Sequence, residues 1–191
     1  MKVLVIGGVS YDTIVHLSRL PEPVSQTVFG KDYQTIGSTG AGKALNLTKL
    51  GVDTTLHATL ANDDYGNLIR KYLQNRGVHA IYDNDSFTER HVNIMDAEGN
   101  RISIFTSSTS PDPSIDWIRM ENLIKEHDLI ILNIVPYTKK VIGLIKKYKK
   151  PIWSDLHDYE EDNSYYDDYI EAADCLFFSS EIGRASCRER V

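Results

Sequence analysis

The segment best suited to chemistry is a glycine-rich turn over residues 37–44, which reads GSTGAGKA. It lies between a β-prone stretch and a stretch whose apolar residues have helical spacing. Glycine tolerates positive φ and allows a ligand to approach the backbone closely, and a helix start offers free N–H groups to an anion or a hydroxyl. The turn therefore predicts a site for a phosphate or for a polar small molecule.

One interpretation of the turn is a P-loop, G-x-x-x-x-G-K-[ST], whose backbone holds nucleotide phosphates. Gly37, Gly42 and Lys43 fit this pattern. Ala44 does not fit, because the motif needs a hydroxyl at that position to hold Mg²⁺. The preceding stretch is also half-polar and lies among proline-punctuated segments. A P-loop NTPase is therefore an alternative, and it predicts that Lys43→Ala abolishes nucleotide binding.

A second polar group, Asp155-Leu156-His157-Asp158, follows an apolar stretch near the end of the chain. Ligands of parallel sheets bind beyond the carboxyl ends of the strands. Asp155 and His157 are therefore candidate ligand-proximal residues, and a structural aspartate at a strand end is the alternative for Asp155.

The elements that must position these groups follow from the spacing of apolar residues. The apolar run over residues 3–6, which ends in Gly7-Gly8, predicts a central parallel strand. Helical spacing over residues 41–50 stops at Gly51. From about residue 107 onward strands and helices alternate, which predicts an α/β fold with a parallel sheet covered by helices. The remaining predicted strands cover residues 54–60, 129–134, 151–154 and 175–178, and the remaining helices cover residues 65–75, 117–125, 138–148 and 165–172.

Two other regions are β-prone but do not fit this alternation. One lies within residues 13–36, where residues 13–17 and the stretch from 27–29 through 33–36 are β-prone, with prolines and Gly30 as punctuation. The other is a hairpin, in which residues 92–95 and 102–105 flank a turn that contains glycine. These strands form either a small separate sheet or an edge extension of the main one.

The ordered set of these features resembles the front end of the ribokinase-like (PfkB) carbohydrate kinases. That family begins with a strand and glycine, an aspartate four residues on, Leu-Pro, a Gly-Gly-x-Gly-Ala-Asn turn, Leu-Gly, Gly-Asp-Asp-x-x-Gly and Gly-Val. The resemblance covers residues 1–180, and the spacing is free of gaps from the turn to Gly51. The matching segments here are Gly7-Gly8, Asp12, Leu20-Pro21, residues 37–42, Leu50-Gly51, residues 62–66 and Gly77-Val78.

The resemblance implies the N-terminal part of one ribokinase-like domain, a three-layer, mostly parallel sheet covered by helices. It also implies a small β lid, formed by segments of about residues 13–36 and 90–105. Such a lid covers the substrate and excludes water, and it often forms a homodimer interface.

The resemblance further implies the roles of individual residues. Asp12 accepts hydrogen bonds from substrate hydroxyls, and Ser10 is a weaker candidate on the same side. Asp155 and His157 correspond to an Asp-x-Asn segment near the phosphates and Mg²⁺. Backbone N–H groups against the substrate come from Gly37, Gly40, Ala41 and Gly42.

The implied reaction is transfer of the γ-phosphoryl group of ATP, with Mg²⁺, to a hydroxyl of a sugar or of a sugar-like molecule such as a nucleoside. The family's catalytic base lies in a Gly-Ala-Gly-Asp motif, which is absent from these 191 residues. No catalytic residue is therefore assigned here, and the chain by itself is expected to be an inactive fragment. A non-catalytic relative that binds a sugar or a nucleoside is the alternative.

Several positions depart from the family pattern. Ser38 replaces the second glycine of the turn, Gly42 replaces its asparagine, and Ala61 replaces the first glycine of Gly-Asp-Asp. His157 replaces the asparagine of Asp-x-Asn. These changes leave the acceptor sugar open and make ribose a less expected substrate.

Composition excludes other classes of protein. The net charge of −6 gives no basic surface for nucleic acid, and no apolar stretch is long enough to span a membrane. The two cysteines make no disulfide framework, which fits a cytoplasmic protein. The histidines show no pattern of metal ligands, so no metal site is predicted, and His57, His79, His91 and His127 are expected at the surface or in the core.

The C-terminal residues differ in composition from the residues before them. Residues 181–191 read EIGRASCRERV, an abrupt basic run after the apolar residues 175–178. The string matches the translation of a common sequencing-adapter read, so we expect it to be non-native, with the origin of Glu181 open. An ordinary basic tail is the alternative, and resequencing the locus distinguishes the two.

Overall fold

The computed structural model describes residues 1–157, Tyr159 and residues 163–178. The predicted non-native tail, residues 181–191, and Asp158 lie outside the described residues. The strands are β1 (Lys2–Ile6), β2 (Ser10–His16), β3 (Lys31–Gly37), β4 (Asp53–Leu60), β5 (His79–Asn84), β6 (Glu89–Met95), β7 (Arg101–Ser107), β8 (Leu129–Asn133), β9 (Ile152–His157) and β10 (Cys175–Phe178). The α-helices are α1 (Thr39–Lys49), α2 (Asp64–Gln74), α3 (Trp117–Glu126), α4 (Thr138–Lys147) and α5 (Asp167–Ala172).

The main sheet has six strands in the order β10-β9-β8-β1-β4-β5, and all of its neighbouring strands are parallel. The central strand β1 is buried on both faces, as its unbroken apolar run predicts. Val3 and Val5 pack into a core with α1 and α2, whereas Leu4 and Ile6 pack into a second core with α3, α4 and α5. The predicted three-layer α/β architecture is therefore confirmed.

Glycine ends two of the helices as their positions predict. Gly51 follows α1 with φ of 76°, and Gly77 follows α2 with φ of 71°. These left-handed conformations are the usual helix stops, and glycine adopts them without a Cβ penalty.

A second sheet of four strands, in the order β3-β2-β6-β7, lies apart from the main sheet. Strands β2 and β6 are parallel, and each pairs antiparallel with its outer neighbour. The β-prone regions therefore form a separate sheet and do not extend the edge of the main one. The β-prone stretch from residue 27 to residue 36 forms a strand only from Lys31 onward.

Strand β5 is the element that apolar spacing does not predict. Its most buried side chain is Asp83, which is charged, so the strand lacks the apolar alternation that would indicate it. His57 on β4 lies 3.0 Å from the Asp83 carboxylate, and the Arg119 guanidinium on α3 also contacts it. A buried charge needs such partners, and only the folded chain supplies them.

Candidate functional site

A cleft of about 530 Å³ lies between the second sheet and the carboxyl ends of β8 and β9. The second sheet contributes polar side chains of β2, β6 and β7, and the glycine turn contributes Ser38 and Thr39. Asn133 and His157 stand at the ends of their strands and complete the polar lining. The cleft therefore lies where parallel sheets bind their ligands.

Asp12 lies in the middle of β2 and lines this cleft, although it is 95% buried, with 5% of its surface exposed. The Asn93 amide on β6 donates to Asp12 Oδ2 over 3.1 Å. Gly37 on β3 passes directly beside this carboxylate, and any Cβ at Gly37 would overlap it. The side chain of Asp12 is therefore held in place at the wall of the cleft.

Ser10 precedes Asp12 on the same face of β2, as alternation in a strand requires. Its side chain is fully buried, and its hydroxyl has no hydrogen-bond partner among the described residues. Gly37 packs against Ser10 as well. Both predicted substrate residues of β2 thus lie beside the predicted first glycine of the turn, and their contact with substrate stays a prediction.

His91 on β6 sits between two carboxylates. Its Nδ1 lies 3.3 Å from Asp12 Oδ1, and its Nε2 lies 3.2 Å from Glu89 Oε1. Burial by itself lowers the pKa of His91, but the two carboxylates outweigh burial and raise the pKa to about 9. His91 is therefore a cation at neutral pH, and it is a buried histidine whose two carboxylate partners its sequence context does not indicate.

Asn133 is a site residue that sequence reasoning missed. It is 1% exposed, and neither polar atom of its amide has a hydrogen-bond partner among the described residues. It packs against Gly7, where any Cβ would overlap the amide. A buried amide without partners has a high desolvation cost, so a ligand hydroxyl in the cleft is a fitting partner. A polar residue closing the apolar strand 129–133 was the signal that could have found it.

In the glycine turn, the residue with positive φ is not a glycine. The positive φ of the turn belongs to Ser38 (φ 69°, ψ 150°), at the position where the family pattern has glycine. Gly40 and Ala41 are buried, and Gly40 presses against the backbone of Gly8. The N–H of Ala41 donates to Gly8 O over 3.1 Å, so that group already has a partner.

Gly42 lies in the first turn of α1, and its N–H donates to Ser38 O over 3.1 Å. A Cβ at Gly42 would meet no atom within 4 Å. Ser38 and Thr39 therefore line the cleft, while Gly40, Ala41 and Gly42 shape the turn behind them. Direct N–H contacts from Gly37, Gly40, Ala41 and Gly42 to a substrate stay a prediction.

Lys43 on α1 and Asp155 on β9 form an ion pair next to the cleft. Asp155 also accepts a hydrogen bond from the N–H of His157 over 3.0 Å. A P-loop follows a strand of the main parallel sheet, whereas β3 belongs to the second sheet. Ala44, at the position of the P-loop hydroxyl, is fully buried in the core. The P-loop interpretation is therefore not supported by the structure.

The described residues do not by themselves form a metal site. No three of their His, Cys, Asp and Glu side chains lie close enough together to hold a metal ion. Asp155, the residue predicted near Mg²⁺, is engaged by Lys43. Asp155 and His157 do lie together at the end of β9, as their spacing predicts.

Comparison with known proteins shows which proteins this chain is similar to. The chain is 27% identical over 183 residues to an acarbose 7(IV)-phosphotransferase of an Actinoplanes species, covering 93% of this chain and 60% of that protein. A solved microbiome-derived acarbose kinase superposes with a TM-score of 0.84 at 26% identity, over 94% of this chain and 61% of the other. The chain is a relative of the ribokinase-like carbohydrate kinases.

A solved structure that is not an acarbose kinase has the same fold. A ribokinase from Giardia lamblia superposes with a TM-score of 0.81 at 14% identity, over 93% of this chain and 56% of the other. No protein-family model matches the sequence. The ribokinase-like chain spans 60% of the length of the acarbose phosphotransferase that it matches. Among its described residues, no helix combines the length and apolar character needed to cross a membrane.

Proposed function

We propose that the protein containing this chain transfers the γ-phosphoryl group of ATP to a hydroxyl of a sugar or of a sugar-like molecule such as a nucleoside. The observation that carries this proposal is the buried Asp12 carboxylate at the wall of a polar cleft in a ribokinase-like fold. The two acarbose kinases named above support a sugar as the acceptor, because their names state that they phosphorylate acarbose, a saccharide.

The groups of the cleft have complementary roles in holding a hydroxyl. Asp12 only accepts hydrogen bonds, whereas the Asn133 amide both donates and accepts. A sugar hydroxyl also does both, so it satisfies the two side chains together. Sugar binding thus gives partners to buried groups that have none among the described residues, Ser10 and Asn133.

Phosphoryl transfer needs positioning and charge stabilisation more than covalent chemistry. We infer that positioning would come from Asp12 and Asn133 in the cleft wall, with the buried Ser10 beside them, as the groups that orient the acceptor. Mg²⁺ and ATP are expected from the family, and Mg²⁺ would neutralise charge on the phosphates. The aspartate base of the family would lie in a Gly-Ala-Gly-Asp motif outside these 191 residues. A cytoplasmic location and an absence of nucleic-acid binding stay predictions.

The test is an ATP-dependent phosphorylation assay on a panel of saccharides and nucleosides. The protein expressed from the complete gene is expected to phosphorylate at least one of them, with ribose a weak substrate. The 191-residue chain alone is expected to give no product, because the base motif is absent from it. Binding of a sugar without phosphorylation by the complete protein would favour the non-catalytic alternative, and activity of the 191-residue chain would contradict the assignment of the base.

We also infer that the complete protein is a homodimer formed through the outer face of the second sheet. The residues of β6 and β7 that alternate with the cleft-facing ones are mostly apolar, since they include Ile94, Ile102 and Ile104. Ile102 and Ile104 are 43% and 45% exposed. An exposed apolar sheet face of this kind is typical of an interface.

Ile104→Asp is expected to convert the dimer into a monomer, because an unpaired carboxylate in an apolar interface has a high desolvation cost. Sedimentation velocity measures the change. Ile118→Asp on α3, where the side chain is 77% exposed, is the control and should leave the mass unchanged. A wild-type protein that sediments as a monomer contradicts the inference.

A further inference from the structure

Strand β6 brings three polar side chains to the cleft at alternate positions, and the proposed reaction does not by itself explain them. Glu89, His91 and Asn93 all line the cleft, yet each is less than 10% exposed. Burying two charged groups and an amide on one strand is costly unless each has a partner. Their common partner on the neighbouring strand is Asp12, directly or through His91.

The contacts form a chain that ends on the Asp12 carboxylate. The Asn93 side-chain amide donates to Asp12 Oδ2. The hydroxyl of Ser103 on β7 in turn donates to Asn93 Oδ1 over 2.7 Å. His91 lies against Oδ1, and Glu89 lies against the far side of the His91 ring. Both oxygens of Asp12 are thus faced by side chains of one strand of the second sheet.

The two contacts of Asp12 differ in kind. Oδ2 accepts an aligned hydrogen bond, whereas Oδ1 is an ion-pair partner of His91 and has no aligned hydrogen bond among the described residues. A carboxylate oxygen has two lone pairs, so Oδ2 can accept from Asn93 and from a substrate hydroxyl together. The His91 ion pair favours one rotation of the carboxyl group, because it attracts the other oxygen, and Glu89 attracts His91 Nε2 in the same way, again without an aligned hydrogen bond among the described residues.

We propose that His91 is a positioning residue, which holds the Asp12 carboxylate in the orientation that meets the acceptor hydroxyl and is itself held by Glu89. This inference rests on the proposed sugar kinase function, since it assigns a role within the same site. It also links the acceptor site to the second sheet, because a movement of β6 would move the groups that hold Asp12.

The surroundings of His91 favour a positive charge on its ring at neutral pH. Asp12 faces the ring from β2, Glu89 faces it from β6 itself, and the tilted ring of Phe105 on β7 packs against it with ring centroids 4.0 Å apart. Arg101, also on β7, is another cationic side chain among the described cleft residues. The pKa of about 9 means that His91 keeps its proton at neutral pH and loses it as the pH rises through about 9.

A substrate-free experiment tests the geometry alone. The complete protein, labelled at histidine, is titrated by NMR, and the His91 signal is assigned by its absence in His91→Gln. We expect His91 to titrate near pH 9, and we expect Asp12→Asn and Glu89→Gln each to move the midpoint toward the ordinary value of about 6.5. A wild-type midpoint near 6.5 overturns the proposal, whether or not the protein is a kinase.

A kinetic experiment tests the role. His91→Phe keeps an aromatic ring against Phe105 but removes the charge, and we expect it to raise KM for the acceptor roughly 10- to 100-fold, with a smaller effect on kcat and on KM for ATP. His91→Gln, which retains a donor, should recover part of this loss. In the wild type, the acceptor KM should rise above pH 9, and this rise should be absent from both variants.

His16→Gln is the matched control, because His16 lies on the same face of the second sheet but stacks on Tyr33, away from Asp12. It should change neither KM nor its pH dependence. An equal loss in His16→Gln, or unchanged acceptor KM in His91→Phe, contradicts a positioning role. If the complete protein phosphorylates no acceptor, both the proposed function and the positioning role of His91 are contradicted. The NMR titration tests the contacts of His91 independently of that result.

Discussion

Asp12→Ala is expected to lower kcat/KM for the acceptor by a factor on the order of 100 to 1,000, equivalent to about 3–4 kcal/mol. Truncating one partner of a buried, hydrogen-bonded charge pair costs about 2–5 kcal/mol, much of it from the groups left unpaired. Here the loss removes the carboxylate that would accept the substrate hydroxyl, and it also leaves Asn93 and His91 without their common partner. Asp12→Asn should reduce stability less than Asp12→Ala does. It should lower kcat/KM for the acceptor by a similar factor, because the amide is neutral.

The measurement is initial-rate kinetics on the complete protein, together with isothermal titration of the acceptor. Asp32→Asn is the control, since Asp32 is an exposed aspartate on β3 in the same sheet, and it should retain full activity. Lys43→Ala provides the opposite test. If Lys43→Ala abolished nucleotide binding while Asp12→Ala left acceptor binding intact, the P-loop interpretation would be restored and the assignment of Asp12 would fail.

Gly40→Ala is expected to lower the free energy of unfolding by about 3 kcal/mol or more, within the range for overpacking and backbone displacement. A Cβ at this position overlaps the carbonyl oxygen of Gly8 and comes within 2.8 Å of the Gly7 carbonyl carbon. These are backbone atoms of the turn after β1, so they cannot rotate away as a flexible side chain would. The start of α1 must therefore move, and the Ala41 N–H to Gly8 O bond is strained with it.

The same helix offers a matched control two residues away. Gly42→Ala places its Cβ in open space, so it should raise the free energy of unfolding by about 0.5–1 kcal/mol through helix propensity alone. Urea denaturation of both variants measures the difference. Equal effects of the two substitutions would show that the contact between Gly40 and Gly8 is not what the turn depends on.

The opposite signs expected for Gly40 and Gly42 show what the spacing of glycines leaves open. The turn contains four residues, each a glycine or an alanine, that the sequence predicts equally well to contact a ligand. The folded chain instead uses Gly37 to make room for the Asp12 carboxylate and Gly40 to make room for the turn after β1. Ser38, which the sequence marks as a departure, has the left-handed backbone conformation. Local sequence predicts that the turn is special, but which atom each residue faces depends on packing between distant strands.

The sequence by itself determined the α/β class, the central strand β1, most helices and the order of segments that marks the ribokinase-like kinases. These features are local, since they depend on apolar periodicity, helix stops and short motifs within each segment. Asp12, Asp155 and His157 were predicted as site residues from such motifs, and their contact with a ligand stays a prediction. Only the tertiary structure decided that Asn133 stands buried in the cleft and that His91 joins Asp12 to Glu89. The reason is physical: Asp12 and His91 are 79 positions apart in the sequence, and the parallel pairing of β2 with β6 alone places them side by side, so their charges matter to each other only after the second sheet has formed.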